Sequence, residues 1–503
     1  MNGIKEEAPV QVIVVGAGPV GLWLAAELAL AGVSTLVLER DEQRSPHSKA
    51  LGLHPRTLEV LAMRGLARRF VAEGVPLPNW HFGMLERRLD FTGLGTPYPF
   101  MLAYPQVRTE ELLERRARDL GVSILRGHSV TGLTQDDSSV TVEVAGADGT
   151  STRTAQFVVG CDGAGSTVRK AAGIDFPGTD STAYGFIGEV VLDDPPGTVV
   201  STHNAAGALI ALPLGGGRHR VTGFDPANQN AGDELTLEEL RAITSRVTGT
   251  DYGMRDPSWL TRFGNATRHA ATYRKDRVLL AGDAAHMHWP AGGVGLNVGV
   301  QDAMNLGWKL AAEVQGRATA GLLDSYHDER HPVGEALAEH TLAQGALITA
   351  ITPDGQALRS LLNNLLASHP NLERALAEKL AALDITYTPS DPAAHPLVGT
   401  RAPATEPDSI IFSALQGGRP VLLDLSGGNR LGRAADSASA MGIETHPSPL
   451  AETGGPDWSG VGAAIIRPDG HVWRAVDGSP ANLESAVMRS LDSLEATFAP
   501  RTG

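Results

Sequence analysis

Apolar and polar positions along the chain switch between two periods, and the switches mark its elements. Val12 to Val15 is a β-branched run that stops at Gly16; the apolar stretch after it reads as a helix leading to a second buried strand, which closes at Glu39. Much later, Val278 to Ala281 reads as another short buried strand with a sharp exit at Gly282. Pro290 to Gly295 reads as a loop, and Ala303, Leu306, Leu310 and Val314 recur at helical spacing, which predicts a helix beginning near Leu296. Strand-like and turn residues dominate 79–105 and 178–269, as in "AAGALIALPLGGGRHRVTGFD". Residues 389–408 have the Pro/Ala density of a linker. Beyond them "RPVLLDLSGG" and "AAIIRPDGHVWRAV" read as buried strands, the latter turning at Pro468-Asp469-Gly470. Leu483, Val487, Leu491 and Leu494 mark a closing amphipathic helix.

The first switch carries chemistry. Gly16, Gly18 and Gly21 have the GxGxxG spacing between a strand and a helix: the first turns the chain, the second admits a pyrophosphate to the backbone, and the third lets helix and sheet pack. Pro19 and Val20 open the helix, whose free N–H groups and positive dipole end face the anion. Glu39 sits where a carboxylate grips a ribose hydroxyl pair, which favours FAD or NAD over NADP. The stretch "GDAAHMHWPAGGVGLN" (282–297) then decides between the two. It places Asp283 at a strand's carboxyl end and starts a second helix far from the first. FAD has matching groups, a ribityl chain for Asp283 and an isoalloxazine edge that becomes anionic on reduction beside a helix dipole. Read alone, Gly292 and Gly293 would be a plain turn and Asp283 a helix cap.

GAGPVG with Glu39-Arg40, "VVGCDGAGSTVR" (158–169) and "GDAAHMHWPAGGVGLNVGVQDAMNLGWKLA" together resemble the para-hydroxybenzoate hydroxylase-like (class A) flavoprotein aromatic monooxygenases. Within that family the likeness is greatest to hydroxylases that tailor aromatic polyketides such as anthracyclines, angucyclines and tetracyclines. Val294 departs from the polar residue many relatives carry in that loop. The resemblance implies an α/β fold, with a Rossmann-like FAD-binding domain (1–78, 106–177 and 270–395) and an inserted mixed β-sheet substrate domain (79–105 and 178–269). A C-terminal thioredoxin-like domain (396–503), without cysteine, completes it. It assigns the flavin site to Gly16, Gly18, Pro19, Val20, Gly21, Glu39, Arg40, Lys49, Gln106, Asp162, Asp283, Pro290, Gly293, Gly295, Leu296 and Asn297. Taken alone, Asp162-Gly163 is a plain turn, Lys49 an exposed lysine, and Gln106 a loop amide before a helix capped by Thr109.

The implied reaction is hydride delivery from NADPH or NADH to FAD, capture of O2 as a flavin C4a-hydroperoxide, and its attack by an electron-rich ring. No catalytic side-chain nucleophile is expected. The nicotinamide nucleotide, lacking a second GxGxxG, should dock transiently near Arg40, Arg44 or Asp162. His286 and His288 invite a metal or proton-transfer reading, but two histidines at i, i+2 are weak ligands for a metal, and packing or hydrogen bonding is expected. The substrate is expected to be a polycyclic phenolic polyketide, stacked on aromatics among Trp80, Phe82, Phe91, Tyr98, Phe100, Tyr104, Phe186 and Phe224, most of which, read alone, are ordinary core aromatics of a sheet. Arg218 and Arg220 are candidates to orient carbonyl or phenolate oxygens, while read alone they are solvated surface. Baeyer–Villiger oxidation, a single-ring phenol substrate and a non-catalytic binding protein on the same fold stay open.

Bulk properties narrow the class without deciding it. The 503 residues carry a net charge of −15, which argues against a nucleic-acid partner. The one cysteine, Cys161, permits no intrachain disulfide and fits a reducing compartment. "MNGIKEEAPV" has no signal-peptide core, and the run Leu22 to Leu38 is broken by Glu27 and Gly32, so no membrane span is expected. The expectation is a cytoplasmic monomer or homodimer.

Overall fold

The computed structural model describes residues 10–498 except 231, 233, 390, 428–429, 449–455 and 479–481. The first nine residues, where no signal peptide is read, lie outside them.

The β-branched runs assemble as their burial requires. A six-stranded sheet has the order Arg274–Lys275, Val278–Leu280, Phe157–Gly160, Val12–Val15, Thr35–Glu39, Ser123–Arg126. It is parallel throughout except for the antiparallel edge strand Arg274–Lys275. Val12 stands between Phe157 and Thr35, and Val158 faces Val278. Every residue of Val12–Val15 is buried, as a strand covered on both faces must be. Each such side chain contributes about 1.5–3 kcal/mol over its exposed state. Helix Pro19–Leu30 crosses between the first two strands and packs against helix Gly295–Val314, which begins one residue before the expected start.

The inserted sheet departs from expectation. Its order is Val200–Asn204, Gly207–Gly215, Arg218–Phe224, Tyr184–Leu192, Met254–Gly264, and every pairing is antiparallel rather than mixed. Residues 79–105 do not join it. Asn79–Trp80 pairs with Leu89–Asp90, while Met101–Ala103 pairs with Gly52–Leu53 and Val75–Leu77. Period-two alternation gives the large sheet two apolar faces. Phe186, Leu209, Ala211 and Val221 pack on helix Leu237–Thr248, which is started by a Thr236/Glu239 capping box. Their neighbours Ile187, Ile210, Leu212 and Thr222 face the other way, into a cavity.

In the C-terminal unit, Glu444–Pro447 pairs parallel with Val421–Asp424; Val461–Ile466 and Val472–Asp477 follow antiparallel. Leu422 and Ile465 face helices Gly432–Ala440 and Leu483–Phe498, whereas Leu423, Ala464 and Ile466 join the main core. Among the described residues no helix is long and apolar enough to cross a membrane.

Candidate active site

One cavity of about 680 Å³ runs from the glycine loop to the antiparallel sheet. Its wall at one end is Gly18, Pro19 and Val20; its middle is Lys49 to Gly52, Gln106, Asp283 and the 290–296 loop; its far end is Ile210, Phe263 and Trp289.

The loop geometry explains its glycines. Gly16 has φ +105°, and a methyl there would overlap the Cys161 carbonyl; one on Gly21 would overlap the Gly16 carbonyl. Gly18 differs: a methyl would meet no protein atom within 4 Å, so its open side faces the cavity. The helices that begin at Pro19 and Gly295 both point their N-termini at this space. Neither has a side-chain cap or an acid in its first turn, so their free N–H groups await acceptors. Among the described residues, neither the Lys49 ammonium nor the exposed Asp283 carboxylate has a hydrogen-bond or ion-pair partner, and both lie on the wall. Two uncapped helix ends, an open glycine, a free cation and a free carboxylate fit a dinucleotide with a diphosphate, a polyol and a second electron-rich end.

Other expected residues are committed to protein contacts. Glu39 accepts from the Ala17 N–H at 2.7 Å and the Asp41 N–H at 3.0 Å, which braces the loop and leaves further lone pairs. Gln106 accepts from the Ala50 N–H at 2.9 Å and donates to Glu110, so it pins the segment bearing Lys49. Helix Gln106–Asp119 starts after Pro105, which fixes φ before it; Thr109 is therefore inside the helix and not its cap. Asp162 turns away from the cavity: it accepts from the Ser166 hydroxyl at 2.5 Å and from the Thr167 and Val168 N–H groups, nucleating the next short helix. Asn297 is buried, joined to His54, Gly52 and Gly293, so its side chain staples the loop from behind. Arg40 points into solvent beside Asp41.

The far end corrects the aromatic assignment. Of the eight candidates only Trp80 lines the cavity; Phe82, Phe91, Tyr98, Tyr104, Phe186 and Phe224 are buried in cores and Phe100 packs on one. The sequence reading missed Phe263 and Trp289, which meet edge to face at 5.7 Å, and His81, Met84 and Ile348. For Trp289 the Trp-Pro step into the loop was the available signal; the facing of Phe263 is set by its pairing opposite Gly185, which the sequence does not show. Arg220 is buried rather than solvated: it pairs with Glu189 and donates to the Ser48 and Lys49 carbonyls. Arg218 donates to the Asp256 carbonyl at the sheet edge.

Of the two histidines, His286 is structural, with Nε2 2.7 Å from Asp302, which also meets Arg330 at 2.8 Å. His288 lines the cavity, and its Nδ1 lies 2.8 Å from the Trp289 carbonyl. That carbonyl only accepts, so the proton resides on Nδ1 and Nε2 is an acceptor. Burial lowers the pKa of His288 and keeps it neutral, and it lowers His81 to about 4. The same burial pushes the Cys161 thiol well up, so it remains un-ionised on the wall.

Comparison with known proteins agrees with this geometry. Residues 9–341 match the FAD binding domain family, and residues 395–493 match the aromatic-ring hydroxylase C-terminal family. The chain is 47% identical over 493 residues to the uncharacterized aromatic compound monooxygenase YhjG of Bacillus subtilis (strain 168), covering 96% of this chain and 97% of that protein. It is 41% identical over 517 residues to the 12-dehydrotetracycline 5-monooxygenase/anhydrotetracycline 6-monooxygenase of Streptomyces rimosus, with coverages of 97% and 99%. The crystal structure of CabE, an aromatic hydroxylase from angucycline biosynthesis, superposes with a TM-score of 0.84 at 39% identity, over 98% of this chain and 100% of that one. This chain therefore belongs to the flavoprotein aromatic-ring hydroxylases, monooxygenases whose cofactor is FAD.

Proposed function

We propose that this chain is an NAD(P)H- and O2-dependent hydroxylase of a polycyclic aromatic polyketide, acting in antibiotic biosynthesis. The carrying observation is that one cavity is lined both by the glycine loop and the two uncapped helix starts and by the apolar residues Ile187, Ile210, Leu212 and Phe263 of the sheet. The tetracycline and angucycline pathways named for its relatives support the same substrate class.

Bound FAD supplies the redox and oxygen-activating chemistry. The protein supplies position and environment. Gly18 and the N–H groups that follow it receive the diphosphate, spare Glu39 lone pairs take a ribose, and Asp283 takes the polyol. The Gly295 and Leu296 N–H groups, at an uncapped helix end, would hold the electron-rich ring edge, while the Gly293 N–H donates to the Pro290 carbonyl and Gly293 lines the same wall. Ile187, Ile210, Leu212 and Phe263 exclude water and present a flat surface to a fused ring. His288 Nε2 is placed to accept a phenolic proton. In this reading residues 1–78, 106–177 and 270–395 hold the flavin and 178–269 with 79–105 enclose the substrate. The unit from 396 is thioredoxin-like in strand order and structural in role. NADPH or NADH docks transiently, and the enzyme works in the cytoplasm as a monomer or homodimer.

The test follows NADPH consumption and hydroxylated product with tetracyclic and angular phenolic substrates beside para-hydroxybenzoate and phenol. Coupled turnover is expected with the fused-ring compounds. Coupled turnover with the single-ring compounds alone would overturn the polyketide assignment.

A further inference from the structure

We propose that His269, His331 and Glu335 form a binding site for a divalent transition metal, zinc by preference, at the seam between strand Thr267–His269 and helix Ser325–Ile348. One ligand atom from each of the three residues lies within 4.8 Å of the others. The two imidazole rings are 4.1 Å apart at their centroids, and His331 Nδ1 is 3.7 Å from Glu335 Oε1.

The helix supplies two of the ligands by its period. His331 and Glu335 are one turn apart and so share a face, which this segment lays against the strand bearing His269. The contacts behind the ligands fix their orientation. His331 Nε2 is 3.1 Å from the Ala270 carbonyl, which can only accept; its proton is therefore on Nε2, and the Nδ1 lone pair faces Glu335. His269 Nε2 is 2.7 Å from the Tyr273 hydroxyl. A histidine whose second ring nitrogen is engaged by a carbonyl or a hydroxyl is oriented as metal ligands are. His327, one turn before His331, is not a ligand, because its Nδ1 accepts the Tyr273 N–H at 3.3 Å.

The donor set chooses the ion. Two imidazole nitrogens and a carboxylate oxygen suit zinc and its neighbours, whereas calcium and magnesium require oxygen shells. Zinc bonds of about 2.0–2.2 Å in a tetrahedron put ligand atoms roughly 3.3 Å apart. The His331–Glu335 pair is already close to that, and the Glu335 side chain is 65% exposed and free to close the remainder. A water completes the shell. In the ladder His269 stands opposite His286, on the strand that leads into the 290–296 loop, so a metal here clamps the long helix to the strand behind the flavin loop. The expected effect is on stability.

The experiment uses the full-length flavin-loaded enzyme, stripped with chelator, equilibrated with zinc chloride and desalted. Elemental analysis then gives zinc per chain, and melting gives the shift. Wild type should hold about one zinc and melt higher with it, as a ligand bound only by the native state requires. His331→Ala and Glu335→Ala should each lower affinity at least about tenfold, the loss of one of three ligands, while His327→Ala keeps wild-type binding. Glu335 is exposed, so its variant folds even if His331→Ala does not. No zinc on wild type, or zinc unchanged in Glu335→Ala, overturns the site.

Discussion

Arg467 meets Glu329 fork to fork, Nη1 on Oε1 and Nη2 on Oε2, each at 2.7 Å. The two residues belong to different units, and both are largely out of water. Around them Lys309 joins Glu329 at 2.8 Å, Arg467 reaches Asp469, and Arg64 ties Glu27 to the Leu415 and Pro468 carbonyls. The C-terminal unit is thus docked by charges that lack solvent to fall back on. Removing one partner of such a pair costs about 3–5 kcal/mol, whereas replacing both by apolar residues costs far less. Arg467→Met should lower the unfolding free energy from urea titration by that much and Glu329→Leu by a similar amount, with the double variant well short of their sum. An unchanged midpoint in Arg467→Met would show that docking rests on apolar contact alone.

The same pair sets an acid limit. Burial pushes Glu329 up, but Arg467 and Lys309 outweigh it and hold its pKa at about 2, below the ordinary 4.5. A carboxylate with a depressed folded pKa contributes stability in full above 4.5 and loses it as pH falls from 4.5 towards 2. Unfolding free energy measured across that window should fall more steeply in wild type than in Glu329→Gln. Parallel curves would remove this carboxylate from the account.

Gly18 and Gly16 separate fold from cofactor. Gly18 has φ −75° and open space where a side chain would be, so Gly18→Ala should leave the apoprotein's melting unchanged and weaken FAD by more than about tenfold, since the methyl occupies the pyrophosphate's approach. Gly16→Ala, strained at positive φ and overlapping Cys161, should fail to accumulate folded protein. Flavin titration and differential scanning distinguish the two. Full FAD affinity in Gly18→Ala would displace the diphosphate from this loop.

Asp283 and Glu39 should each lose about 1.5–3 kcal/mol of FAD binding on change to alanine, the worth of a charge-assisted hydrogen bond. Equilibrium flavin fluorescence reads this as an affinity loss of about 10- to 150-fold. Asp162→Ala should behave differently, lowering stability through loss of the Ser166 and Thr167 bonds. If Asp162→Ala instead released FAD with stability intact, the assignment of that carboxylate to its own turn would be wrong.

The two faces of the antiparallel sheet make a paired prediction. Phe186→Ala, on the helix side and fully buried, should cost about 3–5 kcal/mol of stability. Phe263→Ala, on the cavity side, should spare stability and reduce hydroxylated product per NADPH consumed. Product yield that falls equally in both variants would refute the division.

What the sequence disclosed was local, and what it hid was paired across distance. Gly16, Gly18 and Gly21 were legible because strand, turn and helix follow within ten residues, and Asp283 because its strand and helix flank it directly. Thr109 misled, since a good capping residue one turn in was outweighed by Pro105, which had already set the helix start. Arg220 looked like surface because Glu189, its neutralising partner, lies 31 residues away on the adjoining strand. The aromatic residues could be counted but not faced: Phe186 stands opposite Arg262 and Phe263 opposite Gly185, so the two rings take opposite sides, and only the sheet pairing shows it. Within 79–105, Asn79–Trp80 pairs locally with Leu89–Asp90, but Met101–Ala103 takes its partners from Gly52–Leu53 and Val75–Leu77, outside the segment, so its sheet could not be read from the segment itself.

The cavity's two helix ends, at Gly18 and Gly295, are separated by 277 residues of chain. At about 5–20 residues per second of synthesis, the second emerges roughly 15–55 s after the first. During that interval helix Pro19–Leu30 has no Gly295–Val314 to lie against, and Phe157–Gly160 has no Val278–Leu280. The nascent N-terminal half therefore exposes apolar surface on the ribosome and cannot yet retain flavin. Cofactor capture must await Gly295–Val314, and the Arg467 fork cannot form before residue 467 has followed it. Expression yield of this enzyme should accordingly respond to chaperone supply during synthesis, and flavin supply should act on the completed chain.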